Sequence, residues 1–154
     1  MNFLTLKLCS VLVVVGVDAE LDESSVDDVN QTEDTIVSQW AEIKVSAEER
    51  HKLRDKVDEI LRPLGHEASL IVIRRANSLA LCFICMTLSA LMSLRDQWCS
   101  RQLRRTVEEI FTFLSGATGT VGVKRLTWPL ADYQRCLKYF SSVQGQQTKF
   151  NLLE

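Results

Sequence analysis

Cys82-Phe83-Ile84-Cys85 gives the chain a C-x-x-C spacing, the arrangement from which dithiol redox pairs and half zinc sites are built. A redox pair needs a helix N-terminus, where the dipole lowers a thiol pKa, and a zinc site needs a second ligand pair. Neither context is present. Leu79 to Met86 is apolar throughout and reads as a strand, so Cys82 and Cys85 fall mid-strand on opposite faces. The two histidines do not complete a site: His51 lies on a charged helical face and His66 in a loop beside Gly65. Gly116, Gly119 and Gly122 read as loop glycines, with no lysine in the register of a phosphate-cradling loop. No catalytic, metal-ligating or cofactor-binding residue is therefore expected, and an enzyme is the least favoured class.

The remaining chemistry is that of contact surfaces. A formal net charge of −2 argues against a nucleic-acid partner, as does the presence of one aromatic, Phe83, on the most apolar strand. Arg101, Arg104 and Arg105 form a basic cluster that reads as a solvated helix face, with contact to an acidic partner as the alternative. Trp40 and Trp128 each adjoin a predicted strand. They read as core fillers, or as an apolar patch for a protein partner. Five cysteines (Cys9, Cys82, Cys85, Cys99 and Cys136) are not spaced as a disulfide framework and suit a reducing compartment.

These residues need elements to position them. A chain of 154 residues, 46% hydrophobic, has room for one domain with a true core. Ala41, Ile43 and Val45 alternate with Glu42 and Lys44 and predict a first strand. Ser46 and Glu49 then form a capping box for a helix carrying Leu53, Val57, Ile60, Leu61 and Leu64, ended by Pro63 and Gly65. Ala68–Ile73 and Leu79–Met86 predict two strands, the second apolar on both faces and so central. Thr87 or Ser89 caps a helix with Leu91, Leu94 and Trp98 on one face. A break near Cys99-Ser100 precedes a second helix with Leu103, Val107, Ile110, Phe111 and Leu114. Val121 and Val123 begin a last strand ending by Thr127, and Pro129 opens a short helix with Leu130, Tyr133, Leu137 and Phe140. The order is β-α-β-β-α-β plus a helix. The expected fold is α+β: a ferredoxin-like sandwich with four antiparallel strands and helices on one face.

Residues 76–94 are uncharged over about the length of a membrane span, but the spacing changes from alternation to helical at Thr87, which a spanning helix has no reason to do. A membrane segment is therefore not the first choice. Residues 1–19 read either as a secretory leader with small residues at Val17 and Ala19, or as an extension or strand, since Val11 to Val15 is β-branched. Residues 20–35 read as an acidic linker, 36–141 as the folded domain and 142–154 as a polar tail. Asn30-Gln31-Thr32 is a glycosylation sequon that counts only behind a leader. The expected location is cytoplasmic. Cleavage of residues 1–19 would make the chain secreted, and with it a small secreted or single-pass membrane protein of unrelated role becomes the alternative.

The run SLALCFICMTLSALMSLRDQWCSRQLRRTVEEIF, followed by VGVKRLTWPLADYQRCLKYF, resembles the TRADD-like N-terminal domain family of adaptor interaction domains. The shared pattern is a strongly apolar strand, a helix with Leu88, Leu91 and Leu94 near its start, a break, and a second helical stretch with Glu108-Glu109. Coverage is about residues 38 to 141. The resemblance implies a ferredoxin-like sandwich acting as a non-enzymatic protein–protein docking module in tumour-necrosis-factor-receptor, apoptotic or innate-immune signalling. It implies a protein partner of the signalling-adaptor class and no cofactor. The chain departs from TRADD in that no death domain follows Phe140, and no partner-contacting residue is carried over.

Overall fold

The structure is a computed structural model that describes residues 12–41, 47–62, 68–116 and 118–153, with backbone alone for 47–51, 53 and 143–153. Strand β1 spans Val13–Leu21 and is followed by a single 3-10 turn, Glu23–Ser25. Helices α1 (Val29–Ala41) and α2 (Ala47–Leu61) lead to strands β2 (Ala68–Arg75) and β3 (Leu79–Cys85). Helices α3 (Leu88–Cys99) and α4 (Gln102–Ser115), strand β4 (Val123–Thr127) and helix α5 (Leu130–Leu153) complete the chain.

The four strands form one sheet in the order β2-β3-β1-β4, with every neighbouring pair antiparallel. β1 and β2 are thus mutually parallel with β3 inserted between them, the split βαβ arrangement expected from the sequence. The uncharged run 76–94 divides into β3 and α3 at Thr87, whose hydroxyl accepts the Ala90 N–H at 3.0 Å. Among the described residues no helix is long and apolar enough to cross a membrane.

The N-terminal third differs from the expectation. The first strand is Val13–Leu21, not 41–45. Ala41 is the last residue of α1, and residues 42–46, with the Ser46 cap, lie outside the described residues. On β1, Val13, Val15, Val17, Ala19 and Leu21 are buried and alternate with exposed Val14, Gly16 and Asp18. That alternation is the signature of a strand covered on one face. A leader ending at Ala19 would run through the middle of it. Nor is 20–35 a linker. Val29, Glu33, Ile36, Val37 and Trp40 fall at helical spacing on the inner face of α1, where Glu33, Ile36 and Trp40 are buried. Asp28 caps this helix by accepting the Gln31 N–H at 3.2 Å.

Two contacts explain how this third is held. The β2–β3 register slips between Leu70 and Val72, leaving Ile71 without a ladder partner. Its carbonyl is satisfied by the Trp40 indole N–H at 3.1 Å, while Arg54 stacks over the Trp40 ring at 4.8 Å. Glu33 is buried because Arg75 neutralises it, with Nη2 3.0 Å from its carboxylate. The same guanidinium also bonds Asp34 and both oxygens of Asn30. Burial raises the Glu33 pKa, against the attraction of Arg75.

The C-terminal half follows the predicted faces. Leu91 and Leu94 of α3, and Leu103, Val107, Ile110, Phe111 and Leu114 of α4, are all in the core. The expected break between the two helices falls at Arg101, a non-glycine residue in the left-handed region at φ 68°. The last helix is present where Pro129 predicts it and runs on to Leu153, through residues expected to form a polar tail. Phe140 is buried and Tyr133 and Leu137 pack against the core, whereas Leu130 is exposed.

Candidate interaction site

The ends of β4 define the site. β4 pairs with β1 only from Asp18 to Leu21, while β3 pairs with β1 from Val13 to Ala19. β4 stops at Thr127 for two reasons in the sequence. Trp128 turns its side chain into the core, where it is 2% exposed, and Pro129 has no N–H to offer a ladder. Val13–Val17 therefore have a strand partner on the β3 side alone among the described residues.

Which main-chain groups are left follows from the alternation of an antiparallel strand. Asp22 donates its amide to the Gly122 carbonyl, on the β4 side, at 2.8 Å. Counting back in twos, Glu20, Asp18, Gly16 and Val14 present their N–H and C=O to that side, and the odd residues bond to β3. The hairpin between β2 and β3 gives the same phase, because Ala76 donates to Ser78 at 2.8 Å across its turn. Glu20 and Asp18 meet β4. Gly16 and Val14 do not.

Beside this open edge lies a groove of about 450 Å³, with Val14 and Gly16 on one wall and Trp128, Asp132, Cys136 and Tyr139 on the other. Val14 is 54% and Tyr139 46% exposed. The α5 wall is anchored at its first turn, where Asp132 and Tyr133 donate their amides to the Pro129 carbonyl. Arg95 of α3 fixes the approach to that turn. Its Nη1 bonds the Trp128 carbonyl at 2.9 Å, and its guanidinium lies 4.3 Å from the Trp98 ring centre and 5.0 Å from those of Trp128 and Tyr133. The Trp98 indole donates to the Leu126 carbonyl at 3.2 Å, tying α3 to β4 as well. Among the described residues the enclosed Trp128 indole N–H has no hydrogen-bond partner, and the Tyr133 ring stands edge-on at 5.5 Å.

The thiols here are poor nucleophiles. Burial pushes Cys85 up to about 12, helped by nearby Cys136, and burial raises Cys136 itself. Both stay protonated at neutral pH, so the groove offers contact surface, main-chain hydrogen bonds and the mutually paired Asp132 and Arg135 at its rim.

The residues singled out from sequence are dispersed. Cys85 is in the core and half-buried Cys82 lies on the opposite face of β3, opposite Gly16 of β1, as expected. Trp40 and Trp128 both fill the core. Arg101 and Arg105 are exposed, and Arg104 leans 3.9 Å from Glu108. His66 lies outside the described residues, as does the side chain of His51. Among the described residues no three potential metal ligands cluster. Asn30 of the sequon is helical, with its carboxamide oxygen bonded to Arg75. Sequence reasoning missed Val14, Gly16 and Tyr139. The available signal was a glycine inside a run of valines, which in a strand marks a bulge or a close approach by another group.

No protein-family model and no curated protein matches the chain.

Proposed function

We propose that this chain is a non-enzymatic protein–protein interaction module, adaptor-like in role. The observation that carries the reading is β1, a strand with neighbours on both sides that, among the described residues, leaves half of one main-chain edge open beside a groove of mixed polar and apolar lining. Proteins ordinarily cover such edges or break them with charge, because an unpaired ladder recruits other chains. The stretch Val13–Val17 carries no charge. The resemblance to TRADD-like adaptor domains is in keeping with this reading and points it toward receptor-proximal, apoptotic or innate-immune signalling. The free Cys82, Cys85, Cys99 and Cys136 suit a reducing, cytoplasmic setting.

The test is capture and reconstitution. The immobilised full chain, exposed to lysate, should retain a defined protein that a heat-unfolded control does not. That protein, purified, should then bind the chain in solution with a fixed stoichiometry by calorimetry. Recovery of nothing beyond what the unfolded control retains sinks the reading.

A further inference from the structure

We infer that the open edge of β1 accepts an extended segment of a partner protein, which adds to the sheet beside Val13–Val17 with alternate apolar side chains against α5. This rests on the interaction-module reading and names its binding mode. Three observations identify the occupant. The first is a row of groups without a strand partner among the described residues: the amides and carbonyls of Val14 and Gly16 repeat at strand spacing, and only another extended backbone matches them in register.

The second is Gly16. A glycine in the middle of a strand is unfavourable relative to alanine, because it loses more conformational freedom on folding, so some requirement ordinarily accounts for it. None is internal here. Gly16 is not among the positive-φ residues, its pairing with Cys82 shows no bulge, and a Cβ built on it meets nothing within 4 Å. A bare backbone at the open edge suits a guest side chain lying across it.

The third is space. A second copy of this chain would bring its own β4 and α5 on the same edge of its own β1. Both α5 helices would then have to share the about 450 Å³ available, whereas a lone segment needs no such room. The guest's inward side chains meet Trp128, Cys136 and Tyr139, and its outward ones lie over Val14 and Gly16. The inward set favours large apolar residues, which fall at alternate positions of the guest.

The experiment uses the full chain and an end-blocked heptapeptide of alternating threonine and phenylalanine with a lysine at each end. In the free protein the amides of Val14 and Gly16 should exchange about 100-fold faster than those of Val15 and Val17, which donate to β3. Adding the peptide should slow both by about tenfold or more and shift the signals of Cys136 and Tyr139. Methylating alternate peptide amides should weaken binding about tenfold, as should Gly16→Pro, which removes one edge amide. Tyr139→Glu, at an exposed position, should weaken binding with an unchanged melting temperature, so a folding defect in the proline variant does not leave the question open.

The proposal is overturned if Val14 and Gly16 are already protected without peptide. Protection at every protein concentration would mean that residues 1–11 or another part of the chain fill the edge, and protection only at high concentration would mean that a second copy does. It is equally overturned if methylated and plain peptides bind alike. A lysate partner that still binds both variants would leave the interaction module standing and remove the groove from it.

Discussion

A chain that begins at Glu20 should not fold. The cut removes Val13–Ala19, seven of the nine residues of β1 (13 to 19, of 13 to 21), and with them the strand that joins β3 to β4. Val13, Val15 and Val17 are at most 7% exposed, and burying one such side chain contributes about 1.5–3 kcal/mol. Three together amount to about 5–9 kcal/mol, before counting Ala19 or the ladder to β3. Domains of this size have net stabilities of about 5–15 kcal/mol, so the loss is comparable to the whole. The assay is urea unfolding of residues 20–154 beside the full chain, followed by far-ultraviolet circular dichroism and by the fluorescence of Trp40, Trp98 and Trp128. The full chain should unfold in one cooperative step, and the shortened one should show no transition and poor amide dispersion by NMR. A cooperative transition with native-like dispersion in the shortened chain would refute the placement of β1 at the centre of the fold.

Three further outcomes follow from named contacts. Trp40→Phe keeps most of the buried ring but strands the Ile71 carbonyl at the β2 bulge. It should cost about 1–3 kcal/mol, read as a lower denaturation midpoint at unchanged slope. Arg101→Gly relieves a left-handed residue between α3 and α4 and should raise stability by about 0.5–1 kcal/mol after glycine's own entropy cost, measured the same way. Glu33→Gln tests pH linkage. Because burial raises the Glu33 pKa, the folded state holds that proton more tightly than the unfolded chain, so this group's contribution is greatest in acid and falls as pH rises from the ordinary carboxylate pKa through the raised one. Melting curves from pH 4 to 7 should therefore show the variant gaining on the wild type toward neutrality. A difference that does not change with pH would count against the linkage.

The C-terminal two-thirds was legible because its periodicities are clean. Leu103, Val107, Ile110, Phe111 and Leu114 leave one solution for α4, and the change of period at Thr87 divides strand from helix. The first third was obscured by exceptions at the proposed binding edge and at an ion pair. On β1 the outward positions Val14 and Gly16 are not polar, so alternation becomes visible only at Asp18 and the run resembles a leader. On α1 the stripe Val29, Glu33, Ile36, Val37, Trp40 has a carboxylate in its middle, and the residue that makes this tolerable, Arg75, lies more than forty positions away. The groove was not legible for a similar reason. Its walls come from opposite ends of the chain, and its existence depends on how far β4 runs, which Trp128-Pro129 decide.

That stopping point also bounds a hazard. Cross-β stacking draws on uncharged, β-rich segments of about six or seven residues, and the stretch around Val13 has that composition. By covering the sheet from Asp18 onward, β4 limits the open edge, among the described residues of β1, to the five residues Val13–Val17, short of the length from which fibrils grow. Shortening β4 by a single pair would lengthen the vacancy toward the fibril threshold, and lengthening it would close the berth. On the proposed binding mode, Pro129 holds the domain at a width that admits one guest strand without inviting many.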